Sequence, residues 1–446
     1  MGIKQLKFTP ALPVIILKIL MLQVIFSAAG CTTYSVPDKY TPVLPVRQVS
    51  LQAVHDGFTW QHLVNHVVAA SPDYAAILAE ARADFFNYRS KTNPENLRFS
   101  FEASYLPVEK RINQYSAGIS FSVPNPFVSR QVIRTGEAAM RETEAGAQAL
   151  RNEIASMIYE LVQEILIGER ELSILSLREQ VLSDWTAFLQ MRYDARLATQ
   201  TDMLQFDIQS LRLKTAIRQT RQGIQEARRI LLVLVQIPDE QLVLNPHPAD
   251  WKALLTALDD EEELINYTLS RSAELAGAKA AYEKARAVLG AARARQIPWF
   301  DSVFFSYDPG FTETASVMGG VTRIKTNKWT AGVSVNLPVF AWFSSEKKMG
   351  AFETAAASQR VTGVSQRIRN DITGIIEDLR NALNLLIDYQ IAFDSISKPA
   401  RETIPDTESY YKLLDAWLSA SEYALELELQ CVQIYSKFLK IAGVWD

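Results

Sequence analysis

Of the four histidines, His55, His62, His66 and His247, only two have a spacing with chemical meaning. In His62-Leu-Val-Asn-His66 the i and i+4 positions of a helix set both imidazoles on one face, where they could chelate a metal. Leu63, not glutamate, follows His62, so the metalloprotease pattern is absent, and a lone histidine pair of this kind reads as a surface or packing feature. Cys431 lies in a helical stretch with no histidine near it in sequence, which makes it a poor nucleophile and a good buried apolar residue. Glycine-rich phosphate loops are absent, and the many helical carboxylates are not gathered around any pocket that the sequence reveals. We expect no enzyme: no catalytic residue, no cofactor and no metal.

The N-terminus carries an address. Lys4, Lys7 and Lys18 precede the apolar run from Ile19 to Phe26, and Ser27-Ala-Ala-Gly30 leads into Cys31. This resembles a bacterial lipoprotein signal, in which residues 1–30 are removed and the Cys31 thiol is acylated, with palmitate among the acyl groups expected. Thr32 rather than aspartate follows the cysteine, which by the same resemblance implies the outer membrane. With Cys31 consumed, Cys431 has no intrachain disulfide partner.

The chain says one phrase twice. Ala117-Gly-Ile-Ser-Phe-Ser-Val-Pro124 returns as Ala331-Gly-Val-Ser-Val-Asn-Leu-Pro338, and each copy is a strand that feeds a very long helix. The period is too long for a stacked solenoid unit and reads as two halves of one duplicated fold. Boundaries follow from it: a lipid-anchored segment at 31–57, a first repeat at 58–240, an equatorial belt at 241–262 and a second repeat at 263–446.

The strands sort by parity. Phe99, Phe101, Ala103 and Tyr105 alternate with Arg98, Ser100, Glu102 and Ser104, while Tyr115, Ala117, Ile119, Phe121 and Val123 alternate with Ser116, Gly118, Ser120 and Ser122. The second half gives Trp329, Ala331, Val333, Val335 and Leu337 against Thr330, Gly332, Ser334 and Asn336, with Val303, Phe305 and Tyr307 leading a weaker fourth strand. Each run is about 9 to 11 residues, enough to cross a bilayer as tilted β structure. An aromatic-rich face opposite a small, wet one is the pattern of lipid-facing barrel strands. Only four strands are present, and an open sheet edge cannot sit in hydrocarbon, so several copies must each contribute a sector of wall.

Between the strands the apolar positions keep a helical period. Ile154, Ile158, Leu161, Ile165, Leu172, Leu175, Leu182 and Leu189 step by fours and threes, the spacing of a coiled-coil seam. A helix from about Val128 to Arg196, roughly 100 Å long, would turn near Leu197-Ala-Thr-Gln-Thr201 and return to Val235. A second helix after Phe340 runs through Ile368, Ile372, Ile376, Leu379 and Leu386; Pro399 and Pro405 break it, and a last helix covers Thr407 to Ala442. The fold class is therefore mostly α with a small membrane β portion, built from duplicated β-hairpins and long helical hairpins. A net charge of -4 with 48% hydrophobic residues gives no sign of a nucleic-acid partner.

In this order the junctions Ser122-Val-Pro124 and Asn336-Leu-Pro338-Val-Phe340 and the turn Arg192-Tyr-Asp-Ala-Arg-Leu-Ala-Thr-Gln-Thr-Asp-Met-Leu204 resemble the outer-membrane efflux (TolC-like) family. The turn is similar to the family's Arg-Tyr-x-x-Gly-x-x-Thr-x-x-Asp-x-Leu signature, with Arg196 in place of the glycine, which leaves the local backbone geometry open. Tyr411 to Leu418 matches mainly through its last leucine, the counterpart of Leu204. The resemblance implies a homotrimer whose sectors close a twelve-stranded β-barrel continued by a periplasmic α-helical barrel. It implies a passive exit duct of a tripartite efflux or type I secretion system, served by a periplasmic adaptor and an inner-membrane pump of RND or ABC type, and seated in outer-membrane lipid.

It also gives the tip residues roles. Asp194, Asp202, Asp406 and Asp415, with Glu408, become candidates for a periplasmic gate or selectivity ring, against the plainer reading of helix caps. Arg196, Leu197, Thr199, Thr201 and Leu414 become candidates for adaptor contact. Arg192 and Arg196 could pair with the acids or face solvent. A lipid-anchored periplasmic coiled-coil scaffold is the competing reading, and strand parity argues against it.

Overall fold

The computed structural model describes residues 58–92, 98–106, 111–245, 251–315, 321–337, 345–395, 399 and 407–443. The leader, Cys31, the segment through residue 57, Asp406, Pro338 and Phe340 lie outside the described residues.

Local chemistry sets most helix boundaries. Thr59 caps α1 (Trp60–Ala70) by accepting from the His62 N–H, and Ser71 caps α2 (Pro72–Ser90), which has proline in its first turn. After β1 (Arg98–Leu106) and β2 (Arg111–Ser122), the Asn125 side chain accepts from the Phe127 and Val128 N–H groups and starts α3 (Pro126–Asp194), 69 residues long. The returning α4 (Gln200–Val235) ends at Gln236, a left-handed residue with φ 55°. Then come α5 (Trp251–Ala257), α6 (Glu261–Arg271) and α7 (Ala273–Ala294). The second half closes with β3 (Trp299–Ala315), β4 (Val321–Asn336), α8 (Glu346–Asp394) and α9 (Thr407–Ala442). Pro399 belongs to neither α8 nor α9. Among the described residues, no helix is long and apolar enough to cross a membrane.

The seam seen in the sequence is the core. Ile158, Leu161, Ile165, Leu175 and Leu189 are buried, as are Ile368, Ile372, Ile376, Leu379, Leu383 and Leu386; full burial of each such side chain is worth about 1.5–3 kcal/mol. Two glycines let helices close in. A β-carbon at Gly168 would stand 2.8 Å from Ile224 of α4, and one at Gly136 would stand 2.7 Å from Tyr88 of α2.

The helices form two successive rows that share the long helices α3 and α8. Near the sheet the order is α2, α3, α7, α8; farther along it is α4, α3, α9, α8. So α2 and then α4 flank α3, and α7 and then α9 fill the space between α3 and α8. The short helices α5 and α6 and the turn between them pack onto α8: Arg380 donates to the Leu258 carbonyl at 2.6 Å, and Trp251, Leu258, Leu264 and Ile265 share its hydrophobic cluster. The acidic run at the start of α6 is a capped, solvated helix start, with Asp260 accepting from the Glu263 N–H.

The four strands form one antiparallel sheet in the order β1-β2-β3-β4, which leaves β1 and β4 as its edges. One expectation needs correction. β3 and β4 are 17 and 16 residues, longer than the run of about 9 to 11 that parity marked. Their ladder continues past Tyr307↔Trp329 to Ala315↔Val321. Backbone pairing does not require side chains to alternate, and parity fades where Asp308, Gly310, Thr312 and Thr314 face Lys328 to Thr322.

Candidate functional site

Register aligns the sequence parity across all four strands. Phe99, Ile119, Phe305 and Ala331 lie in one cross-strand row, and Phe101, Ala117, Tyr307 and Trp329 in the row two residues on. This face is open: Phe99 and Phe101 are each 74% exposed and Trp329 is 62% exposed. The row between them holds Ser100, Gly118, Ser306 and Thr330 on the opposite face. A further row on that face aligns Ser122, Ser302 and Ser334, the last two linked at 2.9 Å.

Phe304 breaks this pattern, since it stands on the small face beside Ser120 and opposite Gly332. A β-carbon on Gly332 would lie 2.2 Å from the Phe304 Cζ, and one on Gly118, at the same place in the repeated phrase, would lie 2.7 Å from the Ser100 Oγ. The glycine common to both copies thus leaves room for the side chain across from it. Parity alone missed Phe304; the signal was the repeated glycine. Where strands meet helices, a β-bulge at Phe300/Ser302 sets Asp301 apart. The Trp299 Nε1–H donates to the Val123 carbonyl at 3.2 Å, and its ring meets Phe127 edge-to-face.

At the tip of the first hairpin, Arg196 has φ 59°. The Leu197 N–H donates to the Arg192 carbonyl at 2.7 Å and the Arg196 N–H to the Tyr193 carbonyl at 2.9 Å. This pair of bonds is the Schellman ending, whose left-handed position is usually glycine, so arginine here holds the geometry that the sequence left open. Leu197 is left 68% exposed, and Thr199 and Thr201 are exposed beside it. The Thr199 N–H and hydroxyl both donate to Asp202 Oδ2, at 2.8 and 2.7 Å, while the Asp202 N–H donates to Thr199 Oγ1. Asp202 is therefore the acid of a capping box that opens α4. The backbone hydrogen bond from Thr199 holds its carboxyl below the usual aspartate range. Asp194, on the last turn of α3, accepts from Gln190 Nε2 at 3.0 Å.

Asp415 lies elsewhere, on α9, where Arg178 Nε reaches it at 2.8 Å and the same guanidinium reaches Glu422 at 3.0 Å. Arg192 ties the two hairpins by bonding Glu408 at 2.6 Å, and Lys412 bonds the same carboxylate at 2.7 Å. These two cations hold the Glu408 carboxyl below its ordinary value, Lys412 first. Asp194, Asp202 and Asp415 are thus each engaged by a different partner of their own chain.

Leu414 corrects the expected set of surface contacts. It is only 4% exposed and belongs to a cluster with Val181, Trp185, Leu189, Tyr411 and Leu418. The reason is position in the row: α9 is covered by α3 and α8, whereas α4 stands at the row's end. The counterparts Leu204 and Leu418 show the same difference, at 58% and 0% exposure.

His66 Nε2 lies 3.1 Å from the Val235 carbonyl, a packing contact between α1 and the end of α4. Among the described residues, no group of three His, Cys, Asp or Glu side chains is placed to hold a metal. Cys431 is fully buried, and that burial, then Glu428, pushes its thiol up to about 12, which leaves it without nucleophilic thiolate at neutral pH.

No protein-family model and no curated protein sequence matches the chain. Solved structures do. The outer-membrane channel OprN aligns with a TM-score of 0.56 at 17% identity, covering 86% of this chain and 90% of that one. The outer-membrane protein VceC from Vibrio cholerae gives 0.56 at 15%, covering 86% and 97%. The Campylobacter jejuni outer-membrane channel CmeC gives 0.55 at 13%, covering 86% and 85%. With its duplicated strand and helix hairpins, four-stranded sheet and double row of helices, the chain has the fold of the TolC-like outer-membrane efflux channels.

Proposed function

We propose that this protein is an outer-membrane channel: three copies close a twelve-stranded barrel and a helical barrel beneath it, and exported substrates pass through the shared lumen without chemical change. The observation that carries the reading is that one chain is open at the same two flanks throughout. β1 and β4 are the sheet's edges, α4 and α8 end the helical row, and the aromatic face of the sheet is bare. A head-to-tail contact repeated around an axis satisfies both flanks of every copy and leaves no edge in lipid. Leu204, Ile208 and Leu211 on α4 and Leu385 and Ile391 on α8 are among the exposed apolar residues available to that contact.

In this assembly the outward row of aromatics meets lipid and the serine rows face water. Acylation at Cys31 adds a tether that is marginal alone, so the barrel supplies most of the anchoring. Arg196, Leu197, Thr199 and Thr201 form the end presented to a periplasmic adaptor, which joins the duct to an inner-membrane pump of RND or ABC type in a tripartite efflux or type I secretion system. Asp194 and Asp406 are the tip acids we assign to the pore entrance. Asp202 and Asp415 contribute first as a cap and as an ion-pair partner.

Replacing one residue on each face tests the wall. Phe121→Arg puts a charge on the proposed lipid face and should cost about 2–4 kcal/mol near the bilayer midplane, while Ser120→Arg faces the lumen and should be tolerated. The measure is the yield of membrane-inserted, heat-resistant oligomer. Equal yields from the two variants would contradict a barrel.

A further inference from the structure

Asp202 and Asp260 cap helices, and Glu283 and Glu142 each meet one cation, but one stretch of the contact between α3 and α9 is different. Glu171 of α3 is half-buried among three helices. From α4, the Thr220 hydroxyl donates to its Oε1 at 3.2 Å. From α9, the charges facing it are the carboxylates of Glu422 and Glu426. Two cations of α3 reach the same helix: Arg170, beside Glu171 in sequence, is engaged by Glu428 at 2.9 Å, and Arg178, two turns along, by Asp415 and Glu422. Five carboxylates and two guanidiniums therefore meet across this helix contact, with Glu422 shared between its attractive and its repulsive half.

We propose that this contact is a proton-operated fastener, in which Glu171 takes up the proton and the α3–α9 junction between the two helical hairpins tightens as the solution becomes mildly acidic. The chemistry is a simple protonation: the Glu171 carboxylate gains a proton from water, its charge disappears, and its repulsion of Glu422 and Glu426 goes with it, while the neutral carboxyl keeps an oxygen for Thr220. The Arg178 bridge to Asp415 and Glu422 remains to draw the helices together.

The electrostatics agree in direction. Burial raises the Glu171 carboxyl above the ordinary glutamate value, the Thr220 hydrogen bond lowers it, and the charges of Glu422 and Glu426 raise it again, for a net rise. A group whose folded value lies above its unfolded value favours the folded arrangement more as pH falls through that raised value. The window accordingly opens above the ordinary glutamate value of about 4.3, on the side toward neutrality.

The inference does not depend on the channel reading, because its test reads the helix junction and not conductance. Backbone hydrogen exchange is followed on the full-length protein in detergent, corrected for intrinsic exchange chemistry, at a series of pH values from neutral downward. In the wild type, exchange in 165–178 of α3 and 415–428 of α9 should slow by about threefold or more as Glu171 gains its proton. Glu171→Gln should exchange at neutral pH as slowly as the acidified wild type and should lose the response. Thr220→Val, which removes the bond that favours the charged form, should move the response to higher pH. A wild type without the response, or a Glu171→Gln protein that keeps it, would overturn the proposal; so would an unshifted response in Thr220→Val.

Discussion

The ring of Phe304 fills the space above the α-carbon of Gly332, so that a β-carbon there would lie 2.2 Å from its Cζ. The contact crosses the β3–β4 ladder on the polar face of the sheet. Gly332→Ala should therefore force the ring aside at a cost of about 1–3 kcal/mol, the usual range for overpacking. Combining it with Phe304→Ala should recover much of that loss. Thermal unfolding of the four proteins of this double-mutant cycle checks the coupling, and additive effects would mean that ring and glycine act separately.

Arg196 occupies the left-handed position of a Schellman ending that glycine fills without steric cost. Arg196→Gly should stabilise the first hairpin by up to about 1 kcal/mol, offset in part by glycine's greater freedom in the unfolded chain. Arg196→Val, β-branched at positive φ, should destabilise it. Melting temperatures in detergent should rank Gly above Arg above Val.

The repeat-related leucines should behave differently. Leu418 is fully buried in a cluster with Val181, Trp185 and Leu189 of α3, so Leu418→Ala should cost about 2–5 kcal/mol. Leu204 is more than half exposed on α4, and Leu204→Ala should leave the fold of the single chain within about 0.5 kcal/mol. Its effect should fall instead on association of copies. Unfolding and oligomer-dissociation measurements on both variants separate these outcomes, and equal unfolding losses would contradict the row order.

The repeat, the seam and strand parity made most of this architecture legible. Ile158, Leu161, Ile165, Ile372, Ile376, Leu379, Leu383 and Leu386 lie inside because a period near 3.6 leaves one apolar stripe to bury. Parity found both faces of the sheet because side chains alternate strictly along a strand. The extra length of β3 and β4 escaped it because their ladder outlasts their alternation. The tip was less legible. A leucine at the end of a helical motif reads the same at Leu204 and Leu418, and only the order of helices in the row decides which one is covered. Asp202 and Asp415 look alike as tip acids, yet the first is claimed by its own helix N-terminus and the second by Arg178 of α3, far away in sequence. Partners brought together by folding over such sequence separations leave no local mark.

The most direct test is single-channel recording of the purified protein in a planar bilayer, together with its oligomeric mass in the same detergent. The account predicts a trimer that opens discrete conductance steps, with Phe121→Arg reducing the number of insertions and Ser120→Arg changing the size or ion preference of the steps that remain. A stable monomer that gives no conductance, released from membranes once its lipid is removed, would contradict it.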